Sequence, residues 1–153
     1  MSSPISLLSP LTTIKVSSTL DKSVAKHHLL DNNPETCWSS QQGIPQYIHI
    51  TFTECVIPQR LSLTFQGGFV GIQCALQVLP CTIPATQSSE WHTYTHIYPE
   101  DVNRQQFFDL PITNESPVSA GIRAMKLLFE QSSDFFGRIT VYDLKLEGFL
   151  VQS

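Results

Sequence analysis

The chain carries little charge, and basic charge is the scarcer kind: nine Lys and Arg against 13 Asp and Glu in 153 residues, for a formal net charge of −4. The nine are scattered, so the clustered Lys and Arg that a phosphate backbone requires are missing, and direct nucleic-acid binding is not expected. No apolar run approaches the roughly 18 residues of a membrane span. An aromatic surface patch meant for a membrane would want basic neighbours, which an acidic chain does not supply, so no membrane contact is expected. The opening "MSSPISLLSPL" lacks a basic n-region and holds two prolines, so a signal peptide is not expected.

Cysteine is sparse as well. Cys37, Cys55, Cys74 and Cys81 show no C-x-x-C spacing and read as small core residues rather than as ligands or bridges. Without an export signal, a reduced intracellular setting follows, and the sequon at Asn114 reads as a chance match.

Helical periodicity is the third scarcity. What is present is alternation, in eight short runs bounded by Pro, Gly, Asn, Asp or Ser: "TIKVSS", "QYIHITF", "RLSLTF", "CALQVL", "WHTYTHIY", "QFFDL", "RAMKLLFE" and "ITVYDLKLEG". In the second run, Ile48, Ile50 and Phe52 share one face while Tyr47, His49 and Thr51 share the other. In the last, the apolar positions shift from Ile139 and Val141 to Leu144 and Leu146, which predicts a bulge near Asp143. The pattern predicts an all-β fold, an eight-stranded antiparallel jelly-roll sandwich, as one domain over residues 12–150 behind a flexible lead of residues 1–11. Residues 19–45 hold no strand signal, and "LDKSVAKHHLL" supplies one or two helical turns with Asp21 as N-cap.

Strand parity adds a spatial expectation. If the strands alternate in direction, the end of the 19–45 connection and the loops at 66–71, 98–101 and 132–138 gather at one pole. The loops at 53–59, 80–90 and 110–122 gather at the other.

"HLLDNNPETCWSS" before the first long alternating run resembles the entry segment of discoidin-like domains, the coagulation factor 5/8 type C or galactose-binding-like superfamily. "FQGGFVG", "YPED" and "DFFGRITVYDLKLEG" resemble, in order, a narrower family within it, the proteins associated with nuclear receptor subfamily 2 group C member 2, a testicular orphan receptor. The likeness covers about residues 12 to 149. It implies a non-enzymatic protein-interaction module that binds the orphan nuclear receptor and represses its transcriptional activity, in nucleus and cytoplasm. Relatives in the superfamily also imply two alternatives, a lectin-like module that binds a glycan and a scaffold subunit of a large intracellular complex. Several galactose-binding-like modules hold a structural Ca²⁺ at the entry loop. The residues of this chain that match are Asp31, Thr36 and Glu147, with Asn33 through its carbonyl.

The stretch "SSDFFGR" poses the main site question. A kinase metal motif would need a Gly-rich phosphate loop, a strand lysine and an H-R-D loop, and all three are missing. No nucleophile elbow or phosphate loop is present either, so no catalytic residue is assigned. His27 and His28 are adjacent, and His49, His92 and His96 lack companions at ligand spacing, so zinc is not expected. The Phe pair either plugs the end of the barrel or contacts a partner. In the second case Gln66, Gly67, Gly68 and Phe69 join Asp134, Phe135, Phe136 and Arg138 in an apolar patch with a polar rim. Because neighbours on a strand point to opposite faces, the expectation is one phenylalanine inward and one outward. Trp38 is expected in the core.

Overall fold

The structure is a computed structural model that describes residues 3–81, 91–111 and 118–151. Nine strands appear among these residues: β1 (Ile5–Ser6), β2 (Thr13–Val16), β3 (Trp38–Ser39), β4 (Gln46–Phe65), β5 (Gln73–Pro80), β6 (His92–Ile97), β7 (Gln105–Asp109), β8 (Ile122–Gln131) and β9 (Thr140–Leu150). All pairings are antiparallel. The sequon at Asn114 and most of the 80–90 connection lie outside the described residues.

Two of the eight expected strands are one. "QYIHITF" and "RLSLTF" run together as the 20-residue β4, which belongs to both layers of the sandwich. Its first part lies between β2 and β8, and its second part between β7 and β9. The change of partner occurs at Val56, which pairs with Ile122 on β8 and with Leu150 on β9. The bend leaves its mark on the burial pattern, because Thr53–Glu54 and Gln59–Arg60 are exposed in adjacent pairs beside the register irregularities. Pro58, which cannot donate to a ladder, sits at the second of these. The stretch expected as a loop at 53–59 is therefore a bent strand, and the two-residue β1 and β3 bring the count to nine.

One layer thus holds β2, the first part of β4, β8, β5 and β6; the other holds β7, the second part of β4, β9, β1 and β3. Between them, Ile48, Ile50, Leu61, Leu63, Leu76, Met125, Leu127 and Leu146 are fully buried, each contributing about 1.5–3 kcal/mol by removal from water. Phe65 and Phe129 meet across the layers as an edge-to-face pair with centroids 5.9 Å apart. The face assignments on β4 hold, with Ile48, Ile50 and Phe52 inward. The bulge in β9 falls at Tyr142, where pairing passes from Asp143 opposite Thr64 to Val141 opposite Phe65.

In the 19–45 connection, Asp21 accepts a bond from the Ser23 backbone N–H (2.8 Å) and caps a 3-10 turn at Lys22–Val24; a second follows at Lys26–Leu30. Trp38 is fully buried and donates its indole N–H to the Ser18 carbonyl at 3.0 Å. The lead segment is tied down more than expected. Ile5 and Ser6 pair with Gly148 and Glu147, and Leu7 is buried in the core.

The cysteines divide. Cys74 is buried and free, and burial pushes its thiol well above the usual range. Cys55 and Cys81, in contrast, form a disulfide, which corrects their reading as core residues. Spacing could not reveal the pair, because the two are 26 positions apart and meet where Val56 and Pro80 both pair with Ile122 at the start of β8.

Candidate functional site

The loops predicted to gather at one pole do so, and backbone bonds fix them to one another. Gly67 donates its N–H to Asn103 Oδ1 at 2.5 Å, and Gly68 donates to Asp101 Oδ1 at 2.7 Å. Ser133 ties the third loop in: its hydroxyl donates to Asp101 (3.2 Å) and accepts from the Val70 N–H (2.9 Å), while its own N–H donates to the Val70 carbonyl (2.8 Å). Thr140 accepts from Gln66 N–H and donates to the Phe69 carbonyl. The opposite pole holds the disulfide, and there Cys81 donates to the Gly121 carbonyl and Val151 to that of Cys55.

The turn at 132–138 is specified residue by residue. Ser132 Oγ accepts the Asp134 N–H (3.0 Å) and donates to the Arg138 carbonyl (2.7 Å). Asp134 Oδ2 accepts the Arg138 N–H (3.0 Å), and the Asp134 carbonyl accepts the Gly137 N–H (3.0 Å). Gly137 has φ +87°, a conformation other residues adopt at a cost. The four bonds close a compact turn with the two phenylalanines at its tip.

Both rings face solvent. Phe135 is 93% exposed and Phe136 56%, and they meet edge to face at 5.3 Å. The expectation of one ring inward is corrected. It rested on strand alternation, whereas the pair occupies the tip of a turn, where the Phe136 carbonyl accepts from the Gly43 N–H. The space under the pole is filled instead by Phe65, Val70, Phe129 and Ile139, all buried. Exposed Ile44, next to Gly43, and exposed Tyr98 on the 98–101 loop extend the apolar surface of the pole.

Beneath the tip, Phe69 is half-buried, and the Arg138 guanidinium lies over its ring at 5.1 Å. Arg138 Nε stands 3.6 Å from Asp134 Oδ2, too far for a hydrogen bond, and is buried without an acceptor. Gln66 lies at the edge of the pole, where it lines a cleft of about 630 Å³. Carboxamides dominate that cleft, from Asn32, Asn33, Asn103 and Gln105 besides Gln66, together with Tyr142, Asp143 and Lys145. The structure therefore brings together Gln66, Gly67, Gly68, Phe69, Asp134, Phe135, Phe136 and Arg138. Residue-type reasoning missed Asn103 and Ile44, and it reached Asp101 only as part of the 98–101 loop, without its bond to Gly68.

The entry loop is closed by its own side chains. Asp31 Oδ2 accepts from the Thr36 hydroxyl (2.6 Å) and Oδ1 from the Asn33 N–H (3.0 Å), and the Thr36 bond holds the Asp31 carboxyl below its ordinary value. The Asn33 carbonyl accepts from Thr36, so Asp31, Asn33 and Thr36 stand in one group. Glu147 lies on β9, across a groove that Asn32 also lines. His28 Nδ1 is 2.9 Å from the Cys37 carbonyl. Among the described residues, no three His, Cys, Asp or Glu group as metal ligands.

Comparison with known proteins matches this geometry to relatives by sequence and by shape. No family model matches the chain. The nuclear receptor 2C2-associated proteins of Danio rerio, Bos taurus and Homo sapiens are 38%, 35% and 34% identical to it. Each alignment covers 94% of this chain and 95%, 95% and 96% of the relative. By shape, the chain is similar to a family 32 carbohydrate-binding module from Clostridium perfringens in complex with galactose, with TM-score 0.72, 13% identity, and coverage of 94% and 98%. It is also similar to a chitosan-binding module from Paenibacillus, with TM-score 0.69, 14% identity, and coverage of 90% and 95%. At such identities the likeness is one of fold, the β-sandwich of discoidin-like and galactose-binding-like modules.

Proposed function

The chain belongs to the nuclear receptor 2C2-associated protein family, and from that premise we propose that it is a non-enzymatic interaction module whose loop pole binds a protein partner. A nuclear receptor is the partner that the names of its relatives suggest. Repression of that receptor's transcriptional activity, and residence in nucleus and cytoplasm, complete the proposal. The observation that carries it is the Phe135–Phe136 pair, two rings in solvent on a turn held by its own hydrogen bonds.

Rings left this exposed contribute little to the fold, because little of their area leaves water on folding, and adjacent exposed rings mark a binding surface. A tip that is rigid before contact loses little conformational freedom on association, which favours affinity. Arg138, whose Nε is buried without a hydrogen-bond partner, and Asp134 form the polar rim. The test is a binding titration of the nuclear receptor against wild type and the Phe135→Ala/Phe136→Ala double variant. Loss of binding with an unchanged melt supports the pole, and unchanged binding moves the function elsewhere.

A second reading has its own observation, the carboxamide-lined cleft beside the pole. Each carboxamide both donates and accepts, as neighbouring sugar hydroxyls do, and similar folds include modules solved with saccharides. Millimolar galactose that shifts the amide resonances of Gln66 and Asn103 would support it. A structural Ca²⁺ is proposed at the entry loop, with Asp31, Thr36 and the Asn33 carbonyl as its local ligands and Glu147 as the distant one. It would rigidify that loop and take no part in any reaction. Neither nucleic acid nor a membrane has a part in either reading.

A further inference from the structure

Away from the pole, the outer face of the five-stranded layer carries two lysines with an imidazole between them. Lys15 on β2 pairs in register with His49 on β4, and His49 pairs with Lys126 on β8. Directly opposed residues on antiparallel strands share a face with Cβ atoms about 4.5–5.5 Å apart, and like charges so placed are destabilising. Two rings wall the row. Lys126 Nζ stands 4.5 Å from the centroid of Trp91 and 5.1 Å from that of Tyr47, and the His49 ring meets Trp91 edge-on at 4.9 Å.

The row is also unneutralised. Arg60, Arg104, Arg138 and Lys145 each stand within ion-pair distance of an acid, whereas Lys15 and Lys126 form no ion pair among the described residues. Glu130 on the same face is engaged by Gln73 and His96. Burial, then Lys126, then Lys15 hold the His49 imidazole below its ordinary value, and no carboxylate opposes them.

We propose that the Lys15–His49–Lys126 row, walled by Tyr47 and Trp91, is a second docking site that takes the carboxylates of an acidic segment of a partner protein. Charge complementarity selects the occupant: two lysines and a protonatable imidazole match two or three carboxylates. They are too few to hold a polyphosphate backbone against a chain of net charge −4. The rings accept apolar side chains interleaved with the acids, so the partner segment is acidic and amphipathic. The site lies on a sheet face and stands independently of the reading of the pole.

The experiment uses the whole chain and a fluorescein-labelled peptide of alternating Glu and Leu, with its Gln-for-Glu counterpart as control, followed by anisotropy. The Glu peptide binds at least about tenfold more tightly than the control, and Lys126→Gln and Lys15→Gln each weaken it several-fold. Bound carboxylates favour the imidazolium, opposing Lys15 and Lys126, so affinity rises from about pH 7.5 to about pH 6. His49→Gln removes that dependence. Lys15 is exposed on an edge strand, so Lys15→Gln keeps the test valid should Lys126→Gln unfold. The proposal is overturned if no Glu-peptide binding appears up to millimolar concentration, if the Gln peptide binds equally, or if both lysine variants bind as wild type does. A single-stranded oligonucleotide that displaces the peptide from the same lysines overturns the choice of partner.

Discussion

Gly43 and Gly137 meet backbone to backbone: a Cβ built on Gly137 would lie 2.9 Å from the Gly43 nitrogen and carbonyl carbon. The contact is sealed by the Gly43 N–H, which donates to the Phe136 carbonyl at 2.8 Å. The end of the 19–45 connection therefore sets the height of the phenylalanine tip.

Gly137→Ala combines that collision with a left-handed φ and is expected to cost about 2 kcal/mol, roughly 4–8 °C in melting temperature. It should weaken partner binding as well, because the tip must shift to relieve the clash. Thermal melts and a binding titration on the same sample check both effects.

Phe135→Ala with Phe136→Ala should show the opposite balance. Both rings are exposed, so stability changes by no more than about 0.5 kcal/mol per site. Binding falls by about thirtyfold if the pair forms the hot spot, the equivalent of about 2 kcal/mol. A melt lowered by several degrees would show that the rings support the fold.

His49 should impose a pH dependence on stability. Its folded pKa is depressed, so the unfolded chain takes up its proton first as the solution is acidified. The stabilising contribution is present above the ordinary imidazole value near 6.5 and declines as the pH falls through that value toward the folded one. Denaturant midpoints between about pH 7.5 and pH 5 should fall more steeply for wild type than for His49→Gln.

Reduction of Cys55–Cys81 should lower stability and leave the pole intact. Closing a loop of this length constrains the unfolded chain by roughly 3 kcal/mol in the chain-entropy model. Because the disulfide sits at the far pole, Cys55→Ser/Cys81→Ser should melt earlier and keep wild-type affinity for the partner. In a reducing compartment the thiol form is the relevant one, so melts with and without dithiothreitol are the direct check.

Calcium should raise the melting temperature relative to EDTA by several degrees if the entry loop takes the ion, and Asp31→Asn should abolish the rise. An equal melt in both conditions assigns the loop to its hydrogen bonds alone.

Much of the site could be read before the fold was seen. Alternation located the strands, since side-chain direction along a strand has a period of two set by the backbone itself. Asp21 announced its helical turn, because an N-cap bonds only to residues close by. Parity gathered Gln66–Phe69 and Asp134–Arg138 at one pole, since counting antiparallel strands needs no side-chain detail. The bend of β4 leaves that count intact: a strand that folds over at 53–59 reverses direction as two joined by a loop would.

Other features depend on groups that meet from far along the chain. Asp101 and Asn103 bind the glycines of a loop more than 30 residues away, and Gly43 meets Gly137 across a still longer separation. Cys55 finds Cys81 only because Val56 and Pro80 both pair with Ile122 on β8. Whether Phe136 faced the core or the solvent depended on competition for the volume under the pole, which Phe65 and Phe129 already fill. Local backbone geometry made the strands and turns legible in the sequence by itself. Close packing and the pairing of distant donors and acceptors, which have no sequence period, decided in the tertiary structure what those turns display.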